Sequence, residues 1–276
     1  MLQTFSKEEI SLMKKSLTAV VLCLTGLLTL TGCDKAVSRA DAKKQAQACQ
    51  EKATADDYKF PTKFTVITNS KNDDGEEFYN EIRFDADNYY FYTKTSTKNA
   101  KDDKGSSIAD AESTTIAYLD GKKLVYKMTS SDGSTKDESQ NCLSVDLAQT
   151  AFNLAAKLVI SVGSTTSIEM TGTVLDIIAS LDSASTSSSS AASSSSSSSE
   201  DLDMKINKDS YTSSGDGNLT ATFSGTTTYT KNSSETTISS SITIRFNNYL
   251  FVSSEQKVGN ASSSVKIDWN SCTITK

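Results

Sequence analysis

The residue with the clearest chemistry in this chain is a thiol near one end. Cys33 follows Leu30-Thr31-Gly32 at the close of an uncharged apolar stretch, Leu17 to Leu30, which itself follows Lys14 and Lys15. A basic head and an apolar core of this length engage export machinery and are short for a stable membrane span. Small residues ahead of the cysteine admit the chain to a narrow peptidase site. The thiol can then carry a diacylglyceryl group through a thioether, and cleavage leaves the Cys33 amine free for a further acyl chain. Two or three such chains, at about 0.8 kcal/mol per buried methylene, hold a protein firmly on a bilayer.

The remaining candidates are fewer. The chain contains no histidine, which excludes Ser-His-Asp and Cys-His nucleophiles, histidine bases and histidine-containing zinc sites. Once residues 1–32 are removed, Cys49, Cys142 and Cys272 accompany Cys33. Their separation rules out a CxxC redox motif or a zinc knuckle, so they form either one disulfide or three buried thiols. Asp73-Asp74-Gly75-Glu76-Glu77 is the densest acidic run. It lacks the alternating register of a calcium loop and reads as a solvated turn. Neither a Gly-x-Ser-x-Gly elbow nor a glycine-rich phosphate loop occurs, so no catalysis, no cofactor and no metal is expected. The net charge of −6, with no basic run, argues against nucleic acid as a partner.

Leu30-Thr31-Gly32-Cys33 resembles the lipobox of bacterial lipoproteins. The resemblance implies a signal peptide over 13–32, lipidation at Cys33, a tether over 33–37, and residence at the cell membrane facing outside the cytoplasm. Residues 1–12 do not fit a secretory head, because Glu8 and Glu9 have the wrong sign. Translation is therefore expected to start at Met13.

These features presuppose a body that the anchor carries. Ser38-Arg39-Ala40-Asp41 reads as a capping box opening a helix of about fifteen residues, either packed on the domain or standing as a stalk. Alternating strands follow. Phe64, Val66 and Thr68 share one face, while Phe78, Ile82 and Phe84 oppose Tyr79, Glu81 and Arg83. Tyr89 to Thr95 carries aromatics on both faces, and Asp120-Gly121 predicts a two-residue hairpin with positive φ at both positions. Helical period then appears in Leu147, Ala151, Leu154 and Leu158, widened by Ala148, Phe152, Ala155 and Val159, with Gly163 as the expected stop. A second helix is expected over 174–181. Residues 183–199 are almost pure serine and predict a disordered linker. Strands resume over 200–276, where Ile244-Arg245-Phe246, turn, Tyr249-Leu250-Phe251 echoes Ile82-Arg83-Phe84, turn, Tyr89-Tyr90-Phe91. Two related sheet halves or two ordinary hairpins would both produce that echo.

The fold class expected is α+β, mainly β. A curved antiparallel sheet, or open half-barrel, takes an N-terminal helix and two covering helices inserted between strand blocks, 38–182 and 200–276 forming one domain. This order of elements, with the lipobox, resembles the LolA/LppX-type lipoprotein-carrier family over most of residues 38–276, the serine tract being a departure. The resemblance implies an acyl chain or a partner's lipid moiety held between sheet and helices. On this body the lining would come from Phe84, Tyr118, Tyr126, Phe152, Leu154, Phe246 and Phe251. The function expected is a lipid-anchored binding protein whose partners are the membrane and a lipid or lipidated protein. The alternative is a structural or surface-interaction lipoprotein without a small ligand.

Overall fold

Alternating side chains in short runs become strands here because each run can bury one face, which the two helices among the described residues cover. The computed structural model describes residues 34–102, 105–184, 203–231 and 234–275. Cys33, the signal segment and the serine tract from residue 185 onward lie outside the described residues. In chain order the elements are β1 (Lys35–Ala36), α1 (Arg39–Thr54), β2 (Lys63–Lys71), β3 (Glu77–Asp85), β4 (Tyr90–Lys98), β5 (Ala111–Asp120), β6 (Lys123–Ser130), β7 (Thr135–Asn141), α2 (Val145–Ala184), β8 (Asp203–Gly215), β9 (Asn218–Lys231), β10 (Ser234–Asn247), β11 (Leu250–Val258) and β12 (Ala261–Trp269). The strands form one open sheet in the order β1-β8-β9-β10-β11-β12-β2-β3-β4-β5-β6-β7, with antiparallel neighbours throughout. The class is α+β, mainly β. The two strand blocks meet where Trp269 of β12 pairs with Phe64 of β2.

Ser38 caps α1, its hydroxyl accepting the Asp41 backbone N–H at 3.1 Å and donating to the Asp41 carboxylate at 2.7 Å. The helix is packed rather than free-standing, since Ala42, Ala46 and Cys49 are fully buried. Arg39 fastens it to β8 and to the end of α2, with a two-pronged bond to Asp209 of β8 at 2.8 Å and an ion pair to Asp182 of α2.

Two expectations about α2 require correction. The segment is one continuous helix, not two, and Gly163 does not end it. A Cβ on Gly163 would lie 3.2 Å from Cη2 of Trp269, so this glycine admits the indole instead of terminating the helix. Further along, the buried Thr171 satisfies its hydroxyl on the Ile168 carbonyl at 2.7 Å, which lets a polar residue continue the buried stripe. The rotation also differs. Ala148, Phe152, Ala156, Val174 and Ile178 face the sheet, while Leu154 is 69% exposed. Phe152 sets that rotation by stacking on Phe84, with centroids 6.3 Å apart, and meeting Tyr89 edge-on at 5.7 Å. Residue 154 is two positions on and so points well away from the sheet.

The hairpin at residue 120 forms, with different turn chemistry. Asp120 pairs with Lys123, so the loop is Gly121-Lys122. Gly121 at φ +57° takes its first position, and Asp120 stays in the strand. In the turn joining β10 to β11, Asn248 and Tyr249 both have positive φ, 50° and 67°. The neighbouring turn supports them, as Gly217 O accepts Tyr249 N–H at 2.9 Å and Asn218 Oδ1 accepts Asn248 N–H at 3.1 Å.

Candidate functional site

The residues expected to line an apolar cavity separate into three groups. Phe84, Phe152, Phe246 and Phe251 do come together, as members of one core cluster between sheet and helices. They are 1–7% exposed, so protein atoms occupy their surfaces. Tyr126 lies on that same sheet face, opposite Ala117, and donates its hydroxyl to Met128 Sδ. Tyr118 is on the other face, opposite Tyr90, with Lys127 Nζ 5.7 Å from its ring centre. Leu154 points into solvent. The three cysteines are free: Cys49 is buried, and burial pushes its thiol up to about 12, while Cys142 and Cys272 are half-buried. The acidic run forms the β2–β3 turn, held by Asn72, whose side-chain amide donates to the Glu76 carboxylate at 2.6 Å and whose Oδ1 accepts the Glu76 backbone N–H at 2.9 Å. Among the described residues, no group of three or more histidine, cysteine or carboxylate side chains is placed to hold a metal ion.

The outer face, turned away from the helices, holds the more organised polar chemistry. A hollow of about 720 Å³ opens across β11, β12, β2, β3 and β4. Register builds it. Because the ladders from β11 to β4 run without a bulge, every second residue of each strand aligns in rows on this face. One row carries Glu255, Ser264, Asn69, Tyr79, Ser96 and Glu112. The row beyond it, toward the β2–β3 turn, carries Lys257, Ser262, Lys71, Glu77 and Lys98. On the other side, Glu81 lies beside Lys94, and Arg83 beside Tyr92.

Glu81 anchors this surface and is only 8% exposed. Both its oxygens are occupied: Arg83 Nε donates to one at 2.7 Å and the Tyr79 hydroxyl to the other at 2.8 Å. Burial pushes this carboxyl upward, but the hydrogen bonds from Arg83 and Tyr79, with the fields of Arg83 and Lys94, outweigh it and leave the group below its ordinary range. Burial, reinforced by the bond to Glu81, pushes Tyr79 up to about 12, so it stays a donor at neutral pH. Arg83 is further held by its contact with the Tyr92 ring, 4.5 Å from the centroid. Lys94 closes the patch on Glu112 at 2.8 Å, which raises the lysine's affinity for its proton.

A C-terminal strap borders the hollow. Asn270 N–H donates to Lys63 O at 2.7 Å, Thr65 Oγ1 to Ser271 O at 3.0 Å, and Arg83 Nη1 to Thr273 O at 3.4 Å. The Tyr90 hydroxyl meets Thr275 O and accepts Thr275 N–H. The strap thus covers β2 to β4 at the end nearer Tyr90. Sequence reasoning passed over this surface, although one signal was present: aromatics on both faces of Tyr89 to Thr95 mean that both faces must be covered or used. The Glu81 carboxylate is ionised and doubly occupied, the Tyr79 phenol is protonated, and Arg83 and Lys94 are paired. What the site offers is a fixed bed of donors, hydroxyls and rings. No family model and no curated protein matches the chain.

Proposed function

We propose that this protein is a lipid-anchored, extracytoplasmic binding protein without catalytic activity, which presents the polar outer face of its sheet to a surface-exposed polar ligand. The observation that supports this reading is the hollow of about 720 Å³ lined by Tyr79, Glu81, Arg83 and Lys94, a prearranged hydrogen-bonding bed. The anchor in this reading is diacylglyceryl-Cys33, and no nucleic acid is bound. β1, the first described strand, pairs with Thr212 and Ser213 beside the β8–β9 turn. It therefore enters at the opposite end of the strands from the lysine row, which directs the hollow away from the anchoring bilayer.

The test has two arms. Cys33→Ser is expected to release the protein from the membrane fraction and to eliminate acyl mass; retention with unchanged mass overturns the anchor. In the released Cys33→Ser protein, adding Ser96→Trp with Ser264→Trp, which fills the hollow, is expected to abolish sedimentation with cell-envelope fragments. Undiminished sedimentation overturns the site. A second reading, an apolar ligand or lipidated partner held by the helices, draws on the exposed Leu147 and Leu154 of α2. Lipid that co-purifies in stoichiometric amount and is lost on Leu154→Glu would favour it.

A further inference from the structure

Charge pairing on the outer face is uneven. Within the hollow Glu81 is paired with Arg83, Glu112 with Lys94 and Glu77 with Lys71, and Glu255 reaches Arg245 at its rim. Lys98 and Lys257 have no carboxylate partner among the described residues. Both lie in the row nearest the β2–β3 and β11–β12 turns, with Lys71 between them and Glu77 the row's single acid. All three lysines are exposed. They occupy alternate strands, β11, β2 and β4, so their stems stand about 10 Å apart, two strand spacings.

From this geometry we propose that the hollow binds a linear acidic polysaccharide carrying one anionic group per disaccharide, with Lys257, Lys71 and Lys98 reading successive charges and the adjoining row reading the sugar hydroxyls. The proposal rests on the polar-ligand reading given above and specifies its ligand. The adjoining row supplies Ser264, Asn69, Tyr79 and Ser96, a line of hydroxyl and amide groups suited to a ligand rich in hydroxyls. Spacing and neighbours select against other polyanions. Successive phosphates of a nucleic-acid strand lie closer than about 10 Å, at about one charge per 3.4 Å of helix axis, and surplus phosphates would confront Glu255 and Glu112 at the ends of that row. An extended acidic peptide presents same-side carboxylates about 7 Å apart, again too closely. The anchoring bilayer lies toward the other end of the strands.

The experiment titrates the full-length protein, in a polyoxyethylene detergent that carries no sugar, with hyaluronan, neutral dextran and polyglutamate. Hyaluronan is expected to bind, to weaken as salt rises, and to lose at least about tenfold in affinity in the Lys71→Ser, Lys98→Ser, Lys257→Ser triple variant. A charge-matched control, Lys44→Ser with Lys123→Ser and Lys136→Ser, is expected to leave affinity within about twofold, and circular dichroism confirms that both variants fold. Dextran bound as tightly as hyaluronan, with no response to the triple variant, overturns the charge reading and leaves a polar-glycan site standing. Polyglutamate bound as tightly as hyaluronan overturns the sugar specificity. Absence of glycan binding, together with envelope sedimentation that still depends on the hollow, overturns the glycan assignment alone. Absence of both overturns this proposal and the reading beneath it.

Discussion

The β3–β4 and β10–β11 hairpins carry nearly the same words, Ile-Arg-Phe before the turn and Tyr-x-Phe after it, in different surroundings. In each, the phenylalanines pair across the strands, Phe84 with Phe91 and Phe246 with Phe251, and the arginine faces outward. In each, a tyrosine in the turn takes positive φ, Tyr89 at 50° and Tyr249 at 67°. The outward arginines then diverge. Arg83 pairs with a Glu81 whose side chain is 10% exposed, and the C-terminal strap crosses them. Arg245 pairs with Glu255, the two side chains being 41% and 51% exposed. The strap also distinguishes Tyr90, whose hydroxyl holds Thr275, from its counterpart Leu250, which has no such handle. A shared local pattern thus produces the same hairpin, and remote chain decides whether its polar face is a structural network or open surface.

The comparison can be strained at four points, in decreasing order of effect. Phe84→Ala and Phe246→Ala should each cost about 3–5 kcal/mol, because both empty the same core; urea unfolding that shows one of them near neutral would break the equivalence. Gly217→Ala should cost about 2 kcal/mol or more, since its φ is +74° and a Cβ would lie 2.8 Å from Tyr249 N. This penalty is specific to the second hairpin, and its absence would show that the turn adjusts freely.

Third, Glu81→Ala should cost about 2–3 kcal/mol by stranding Arg83 and Tyr79, against about 0.5 kcal/mol or less for Glu255→Ala at its exposed pair. The sign with pH follows from the lowered Glu81 pKa. Its contribution is complete above the ordinary carboxylate range and disappears as pH falls toward the folded value. The Tm gap between native protein and Glu81→Gln should therefore close between about pH 6 and about pH 3, and a gap that widens on acidification would contradict the ion pair. Smallest, Tyr90→Phe should cost about 1 kcal/mol and speed amide exchange in residues 271–275. Unchanged exchange would mean that the strap does not depend on this hydroxyl.

Much of the fold was legible because its signals are local. The Ser38 cap, the alternation around Phe84 and the existence of a turn between Phe246 and Leu250 each reflect hydrogen bonding or burial decided within a few residues. Less of the candidate site was legible. Tyr79, Glu81 and Arg83 could be assigned to one face, but whether that face was empty surface or a network depended on a strap about 190 residues away, as in the separation of Arg83 from Thr273. Leu154 misled because α2 has apolar residues on more than one side. Phe152 against Phe84 and Tyr89 chose the rotation, and periodicity carries no information about the partner.

The residue order by itself determined that this chain makes one-sided strands with short turns, a capped first helix, an apolar inserted segment and no histidine chemistry, since each is a property of neighbouring side chains and backbone freedom. Only the tertiary structure decided that α2 runs unbroken past Gly163, where the Trp269 ring takes the space of a side chain, and that Lys257, Lys71 and Lys98 stand in one row. Those outcomes depend on register between strands far apart in the chain. Register is set jointly by every ladder bond and buried face, and a shift of one residue would turn each of these side chains to the opposite face.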